Sequence, residues 1–387
     1  MKVNQKTISK QLTRGCPQGS RIGHLFWNLI LNRLLLNEEN RTEDVRIFAF
    51  ADDLMITVAG KQSSDIEQKA NAVLERLTDW ISTNGLNFNV DKTQMMMIKQ
   101  KRNIVDPIVY QNGKLLNLTD SIKYLGVTID KLLRFKQHIN EICNKTTRRL
   151  NVCTLVATKK YGFHTKLRSQ IYKSVLLPTI LYASEIWSNA LRWKTNRNRL
   201  LSLQRSILIW MTSANNSTSE VQALMLAKTA PIDKLIEQSK DLSEARKIGK
   251  HEVAELKNQI KLDFNQYWNE LKDDQSNTSK LICKIDTQDN VDRSIMINYY
   301  TARFLTGHSR FKSYLHKMNL TTNTKCLFCS ADDTPEHIIF ECIGYIDIRN
   351  RYLSRNCNYF SKLDKSEARN FAIFCEYAWH IREPYFM

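Results

Sequence analysis

Glycine and proline are scarce in this chain of 387 residues, which has 11 Gly and 6 Pro. Together they make up roughly 4% of it where about 12% is usual, which excludes collagen-like, Pro-rich-linker and turn-dense β-sandwich architectures and favours many helices. Long apolar runs are also missing. The best one, Ser174 to Trp187, is cut by Pro178 and Glu185 and falls short of the roughly 18 uninterrupted apolar residues of a bilayer span. No charged n-region followed by an apolar h-region opens the sequence, and neither end carries a lipidation motif, so no membrane partner is expected. Cysteine is odd in number, 9, and only Cys326 and Cys329 form a close pair; a secreted disulfide framework is therefore excluded in favour of reduced thiols in an intracellular protein, nuclear, cytoplasmic or both. Acidic residues are in deficit, 39 against 57 Lys and Arg, for a net charge of +18. A positive field of that kind attracts polyanions, and nucleic acid is the first partner it suggests.

What is present argues for a folded chain. Hydrophobic residues reach 42%, with 14 Tyr, 15 Phe and 7 Trp, and the length suffices for two or three domains. The first third alternates helical and strand patterns. Residues 14–20, Arg-Gly-Cys-Pro-Gln-Gly-Ser, form a turn-rich loop from which Ser20 is placed to cap a helix with its apolar face on Leu25, Phe26, Leu29, Ile30 and Leu34. Val45–Phe50 and Leu54–Ala59 read as two strands of a tight hairpin with Asp52 and Asp53 at its tip. Ser64 to Glu67 fits a capping box for a helix whose face is Ile66, Ala70, Val73, Leu74, Leu77 and Ile81, ended by Asn84-Gly85. Strand patterns resume at 86–90, 94–98 and 124–129. The fold class is α+β, a sheet with packed helices, followed by a mainly α-helical region and a small Cys/His module. The expected divisions are 1–131, 132–300, 301–345 and a helical tail at 346–387.

Asp52 and Asp53 are the most unusual pair, because ionised carboxylates on a rigid hairpin can ligate hard divalent cations through oxygen and so serve phosphoryl chemistry. A solvated turn is the plain alternative. At the other end, Cys326-x2-Cys329-x7-His337-x4-Cys342 offers three thiolates and an imidazole at spacings that close tetrahedrally around structural Zn2+, with no open position for a reaction. Its role is either to bind RNA or DNA or only to stabilise the C-terminal fold. The other cysteines read as small packing residues. Between the two sites Arg192, Lys194, Arg197, Arg199 and Arg205 accompany Trp187, Trp193 and Trp210; the cations suit phosphates, and tryptophans at helical spacing are core more often than base platforms.

Four segments in one order resemble the reverse transcriptases of non-LTR (LINE-type) retrotransposons, the jockey-like and related arthropod elements in particular. Residues 14–20 with Phe26-Trp27-Asn28 resemble the family's loop and helix at template and incoming nucleotide, and Phe50-Ala51-Asp52-Asp53 its metal-binding hairpin. Gly85 to Asn89 with Lys92-Thr93 resembles the next palm motif, and Lys123 to Val127 the hairpin that grips the primer end. Thr306-Gly307-His308 ahead of the Cys/His motif is a further likeness.

The resemblance implies a partial polymerase palm, a helical thumb or connector and a zinc knuckle. It implies an RNA-directed DNA polymerase that takes an RNA template, a DNA primer or target and dNTPs, with Mg2+ or Mn2+ on Asp52 and Asp53. Gln18 and Gly19 would line the nucleotide and template site, Lys92 would protonate pyrophosphate, and Tyr124 with Gly126 would hold the primer. Two departures stand out. Nothing ahead of Arg14 reads as the fingers or as the palm strand with a further metal-binding Asp, so the chain is expected to be incomplete as a polymerase. Ser20-Arg21-Ile22-Gly23-His24 also departs from the family's apolar residue and Pro. The alternative is a non-catalytic nucleic-acid-binding remnant that uses the basic helices and the knuckle. Oligomeric state is not legible.

Overall fold

The computed structural model describes residues 2–3, 6–7, 15–16, 19–36, 42–98, 105–157, 162–273, 280–288, 291–353 and 360–386. It divides into two compact units, Met1–Leu133 and Arg134–Met387.

In the first unit β1 (Lys2–Val3) and β2 (Lys6–Thr7) pair antiparallel, and helix α1 spans Gly23–Leu36. Ser20 does not cap α1 with its side chain. The first turn closes on the Ile22 carbonyl, which accepts from Leu25 N and Phe26 N at 3.1 Å, while Ser20 offers only its own carbonyl to Gly23 N. The expected buried face is also turned. Leu34 is buried as expected, but Leu31 is its companion, and Leu25, Phe26, Leu29 and Ile30 are exposed. α1 is apolar nearly all round, so its periodicity could not choose a side; the side that meets the next hairpin is the one that is buried.

That hairpin is β3 (Val45–Phe50) with β4 (Asp53–Val58), in antiparallel register from Val45↔Val58 to Phe50↔Asp53. Its two-residue turn is Ala51-Asp52, with Ala51 at the left-handed φ of 53° that such tight turns require. Helix α2 (Ser63–Thr83) buries Val73, Leu74, Leu77 and Ile81 as expected. It begins a residue earlier than its anticipated cap, so Ser64 lies inside the helix and Glu67 accepts from Ile108 N at 2.9 Å instead of closing a box. It ends in a Schellman motif: Leu86 N donates to Ile81 O and Gly85 N to Ser82 O, at 2.9 and 3.0 Å, with Gly85 at φ 67°.

The strands expected at 86–90 and 94–98 do not form. Asn89 accepts from Lys92 N at 3.3 Å and winds Val90–Lys92 into a 3-10 turn, a local bond that competes with a ladder, and Met95 makes only an isolated bridge to Leu118. Two hairpins follow, β5 (Tyr110–Gln111) with β6 (Lys114–Leu115) and β7 (Ser121–Tyr124) with β8 (Val127–Asp130). The strand expected at 124–129 is thus broken by a turn in which Leu125 and Gly126 both take positive φ, 45° and 81°. Among the described residues the anticipated sheet is a set of separate two-stranded ribbons. Helix α2 gathers them: Val73 and Leu77 join Leu31, Leu34 and Val45, and Leu74 joins Val109 and Leu116.

The second unit is helical: α3 (Lys136–Val156), α4 (Thr165–Ile171), a π-helical turn at Tyr172–Leu176, α5 (Leu177–Leu181), α6 (Ser184–Trp187), α7 (Lys194–Thr212), α8 (Glu220–Ala227), α9 (Ile232–Ile248) and α10 (Lys250–Asp273). After these come α11 (Lys280–Lys284), β9 (Ile285–Thr287), α12 (Tyr299–Thr306), α13 (Lys312–Lys317), α14 (Ile346–Tyr352), β10 (Phe360–Leu363), which pairs parallel with β9, and α15 (Lys365–Arg382). One hydrophobic cluster runs through Met225, Trp268, Ile282, Phe304, Phe311, Ile338, Phe371 and Trp379, while Ile139, Leu176, Trp187 and Leu200 of the earlier helices are buried outside it. Among the described residues no helix is long and apolar enough to cross a membrane.

Candidate active site and Cys/His cluster

Asp52 and Asp53 project from the β3–β4 turn, and both are exposed. Trp27 ties that turn to α1, its Nε1 donating to Ala51 O at 2.6 Å. Trp27 falls in a quoted motif, but nothing in its spacing announced this anchoring. Among the described residues neither carboxylate enters an ion pair; the unit's ion pairs include Lys69 with Asp44 and Asp65, each at 2.8 Å, Lys114 with Asp91, and Lys131 with Asp120 at 2.6 Å. Tyr124, the last residue of β7, shares their surroundings: burial raises its phenol pKa, and the Asp53 carboxylate raises it further. Gly126 occupies the β7–β8 turn beside it.

The other expected site residues are not joined to the acids. Gly19 is exposed at φ 86°, with open space where a Cβ would stand, and Lys92 is exposed on its 3-10 turn without an ion pair to either aspartate. Gln18 lies outside the described residues. Among those residues no third carboxylate, imidazole or thiol gathers with Asp52 and Asp53. Two uncompensated oxygen donors suit a hard cation such as Mg2+, which keeps several waters and commonly takes one or two carboxylates together with substrate phosphates.

The Cys/His cluster is assembled from two local devices. A bridge between Lys325 and Asp332, reinforced by Cys326 N to Ala331 O at 2.8 Å, folds 324–333 into a knuckle that carries Cys326 and Cys329. His337 and Cys342 flank a π-helical turn (His337–Glu341) closed by Cys342 N to His337 O at 2.8 Å. The wider π turn brings residues five apart onto one side, which an α-helical turn would not. The four ligand atoms lie within 4.8 Å of one another, with Cys326 Sγ to Cys342 Sγ at 3.6 Å and Cys329 Sγ to His337 Nε2 at 3.0 Å. Zn–S bonds of about 2.3 Å imply tetrahedral sulfur–sulfur edges of about 3.8 Å, close to the first of these. His337 turns its other nitrogen, Nδ1, towards Glu341 at 3.5 Å, the outer-shell contact that orients a ligating imidazole. Burial pushes the Cys342 thiol up to about 12, against the Gly344 N–H, which favours the thiolate; a cation is what would ionise it. Arg349 braces the turn by donating to the carbonyls of Ile339, Ile338 and Cys342.

In the basic helices Trp187 and Trp210 are core, and Trp193 is partly exposed with Arg134 and Arg192 over its ring at 4.9 and 5.3 Å. Two of the expected phosphate cations are engaged within the chain, Arg197 while exposed and Arg205 while half-buried. Arg197 pairs with Asp233 at 2.6 Å, and Arg205 donates to the carbonyls of Asn216 and Thr218. Of the remaining cysteines, Cys143 and Cys375 are buried, Cys16 is exposed, and Cys357 lies outside the described residues.

Residues 1–129 match the family Reverse transcriptase (RNA-dependent DNA polymerase). That first third is similar to reverse transcriptase domains, and the relatives the chain matches are proteins of R1 and jockey retrotransposable elements. It is 26% identical over 361 residues to a putative 115 kDa protein in type-1 retrotransposable element R1DM of Drosophila melanogaster, covering 89% of this chain and 35% of that protein. It is 24% identical over 358 residues to the Pol polyprotein from type-1 retrotransposable element R1 2 of Nasonia vitripennis, covering 87% of each. The RNA-directed DNA polymerase from mobile element jockey of Drosophila melanogaster is 24% identical over 199 residues, 51% of this chain and 22% of that protein. The chain thus spans about a third of the first relative's length and most of the second's. No solved structure is a significant match. The expected aspartate hairpin and the primer-grip segment both fall within the matched reverse transcriptase region, and the Cys/His cluster lies beyond it.

Proposed function

We propose that this chain takes part in RNA-templated DNA synthesis for a non-LTR retrotransposon, adding dNTPs to a DNA 3′ end. The observation that supports this best is the hairpin tip, where two adjacent carboxylates stand exposed and unpaired among the described residues with Tyr124 beside Asp53. Asp52 and Asp53 hold divalent cations, Mg2+ or Mn2+, which when bound neutralise the triphosphate and make the primer 3′-hydroxyl more acidic. Tyr124 and Gly126 hold the primer terminus against the hairpin. Gln18 and Gly19 line the nucleotide and template side. The 3′-hydroxyl loses its proton to solvent water as its oxygen attacks the α-phosphorus, the phosphodiester forms as the bond to pyrophosphate breaks, and Lys92 gives the leaving group its proton. The Cys/His cluster holds Zn2+ in a closed four-ligand site that fixes the C-terminal fold and presents cations to RNA or DNA.

The test is primer extension on an RNA template with dNTPs and Mg2+ or Mn2+, beside the double variant Asp52→Ala, Asp53→Ala. Extension by the parent chain that the double variant loses supports the reading. Equal extension by both, or none by either with RNA binding retained, overturns it.

A further inference from the structure

The second unit contains two cavities that share Thr165, Ser294 and Ile297 in their walls. The smaller, of about 170 Å³, is lined by Lys173, Lys228 and Arg293 with hydroxyls from Thr165, Ser169 and Ser294, and Asp292 is its one acidic lining residue. That is far more room than the roughly 10–15 Å³ a single water needs. Arg293 is 5% exposed, and its Nη1 donates to Asp286 at 3.1 Å. Its Nε and Nη2 have no hydrogen-bond partner among the described residues. Lys228 approaches the same Asp286 carboxylate at 3.7 Å, and Lys173 lies in the same wall, so three cations stand near the acids Asp286 and Asp292. Buried guanidinium N–H groups without acceptors are costly, and an anion in the cavity would satisfy them.

The larger cavity, of about 450 Å³, has a more aromatic lining: Phe163, His164, Tyr299 and Tyr300, with the cations Lys166 and Arg168. Arg303 lies over one face of Tyr299 at 3.3 Å and donates to the carbonyls of Tyr299 and Ser213. Lys173 belongs to the π-helical turn Tyr172–Leu176, a departure from α-helix of the sort that recurs at binding sites. An aromatic-rich chamber that shares a wall with a cation-lined one suits a flat aromatic group joined to a phosphate.

We propose that these joined cavities bind one unpaired nucleotide of a single-stranded nucleic acid, its base among the rings of Phe163, His164, Tyr299 and Tyr300 and its phosphate at Lys173, Lys228 and Arg293. The site is separate from the aspartate hairpin and does not depend on catalysis there. A paired base cannot enter, so single strands bind and duplex does not use the site.

The experiment is an anisotropy titration of the full chain with a fluorescently labelled single-stranded decamer, as RNA and as DNA, and with the matching duplex at fixed salt. Lys173→Ala and His164→Ala alter exposed side chains, and circular dichroism confirms their fold. Each is expected to weaken single-strand binding at least about fivefold, the scale of one lost stacking or phosphate contact, and to change duplex binding less than twofold. The RNA and DNA arms report which sugar the site accepts, and tighter binding of either single strand meets the expectation. The Asp52→Ala, Asp53→Ala variant is expected to bind like the parent, so loss of extension and loss of this site are read separately. Parent-like single-strand binding by both cleft variants, or equal weakening on single strand and duplex, overturns the proposal.

Discussion

A charge removed from water needs its opposite inside the protein, and Asp333 has one in Arg382. The two are fully or nearly fully buried and bidentate, Oδ1 to Nη1 at 2.6 Å and Oδ2 to Nη2 at 2.7 Å, while Lys312 N donates to the same carboxylate at 2.7 Å. Removing one partner strands the other, so Arg382→Met is expected to cost about 3–5 kcal/mol, read from the urea midpoint at unchanged slope. His308 gives a pH dependence. Burial and then Lys317 hold its imidazole below the ordinary value while it meets Ser217 Oγ at 3.2 Å and stacks against Tyr314. The folded chain therefore binds fewer protons there than the unfolded chain, and stability falls as pH drops through the unfolded value of about 6.5. His308→Gln is expected to flatten the decline in melting temperature between about pH 7 and 5.5 relative to the parent. At this scale the hairpin position of Asp52 and Asp53 and the gathering of Cys326, Cys329, His337 and Cys342 were legible, because residue identity and spacing along the chain pointed to those placements. Asp333 with Arg382 was not, because a pair so far apart in sequence is made by tertiary packing alone.

At the scale of elements, legibility followed whether a local signal had a competitor. The α2 face of Val73, Leu74, Leu77 and Ile81 was readable because the opposite side of that helix is polar, whereas α1 is apolar over most of its surface and its buried face was chosen by the hairpin it meets. Asn112-Gly113 carries the commonest tight-hairpin dipeptide, and both residues take positive φ, 48° and 72°; the signal was in the chain although strand patterns at 86–98 drew the reading elsewhere. The π turn before Cys342 has no sequence signature, yet it alone brings His337 round to the thiols. Caps can be tested directly. Asp364 closes a capping box on α15, accepting from Ser366 N and Glu367 N at 2.7 and 2.9 Å while Glu367 accepts from Asp364 N. Asp364→Ala is expected to lower stability by about 1 kcal/mol, measured by chemical denaturation.

For the whole molecule, the division at Leu133 and Arg134 separates the aspartate hairpin from the Cys/His cluster, and each belongs to its own interior. Metal removal should respect that division. Chelation is expected to speed amide exchange across 324–353 before any change at 45–83, followed by hydrogen-exchange mass spectrometry, because ligand atoms drawn to within 4.8 Å lose what holds three sulfurs together. The change of pattern after the first third of the chain lies beside the division at Leu133. The shared interior of the second unit was not legible, since its members come from elements between Ala214 and Trp379.

That shared interior has a genetic corollary. Cys326 and Cys342 rest on the same packed layer as Phe371, Phe374 and Trp379, and the knuckle's Asp333 is neutralised from the last turn of α15. A premature stop codon that removes only that final turn would leave every cysteine and histidine of the motif encoded, yet strand a carboxylate beneath them. Chains with an intact-looking Cys/His motif can therefore be cleared by proteases before any metal is loaded.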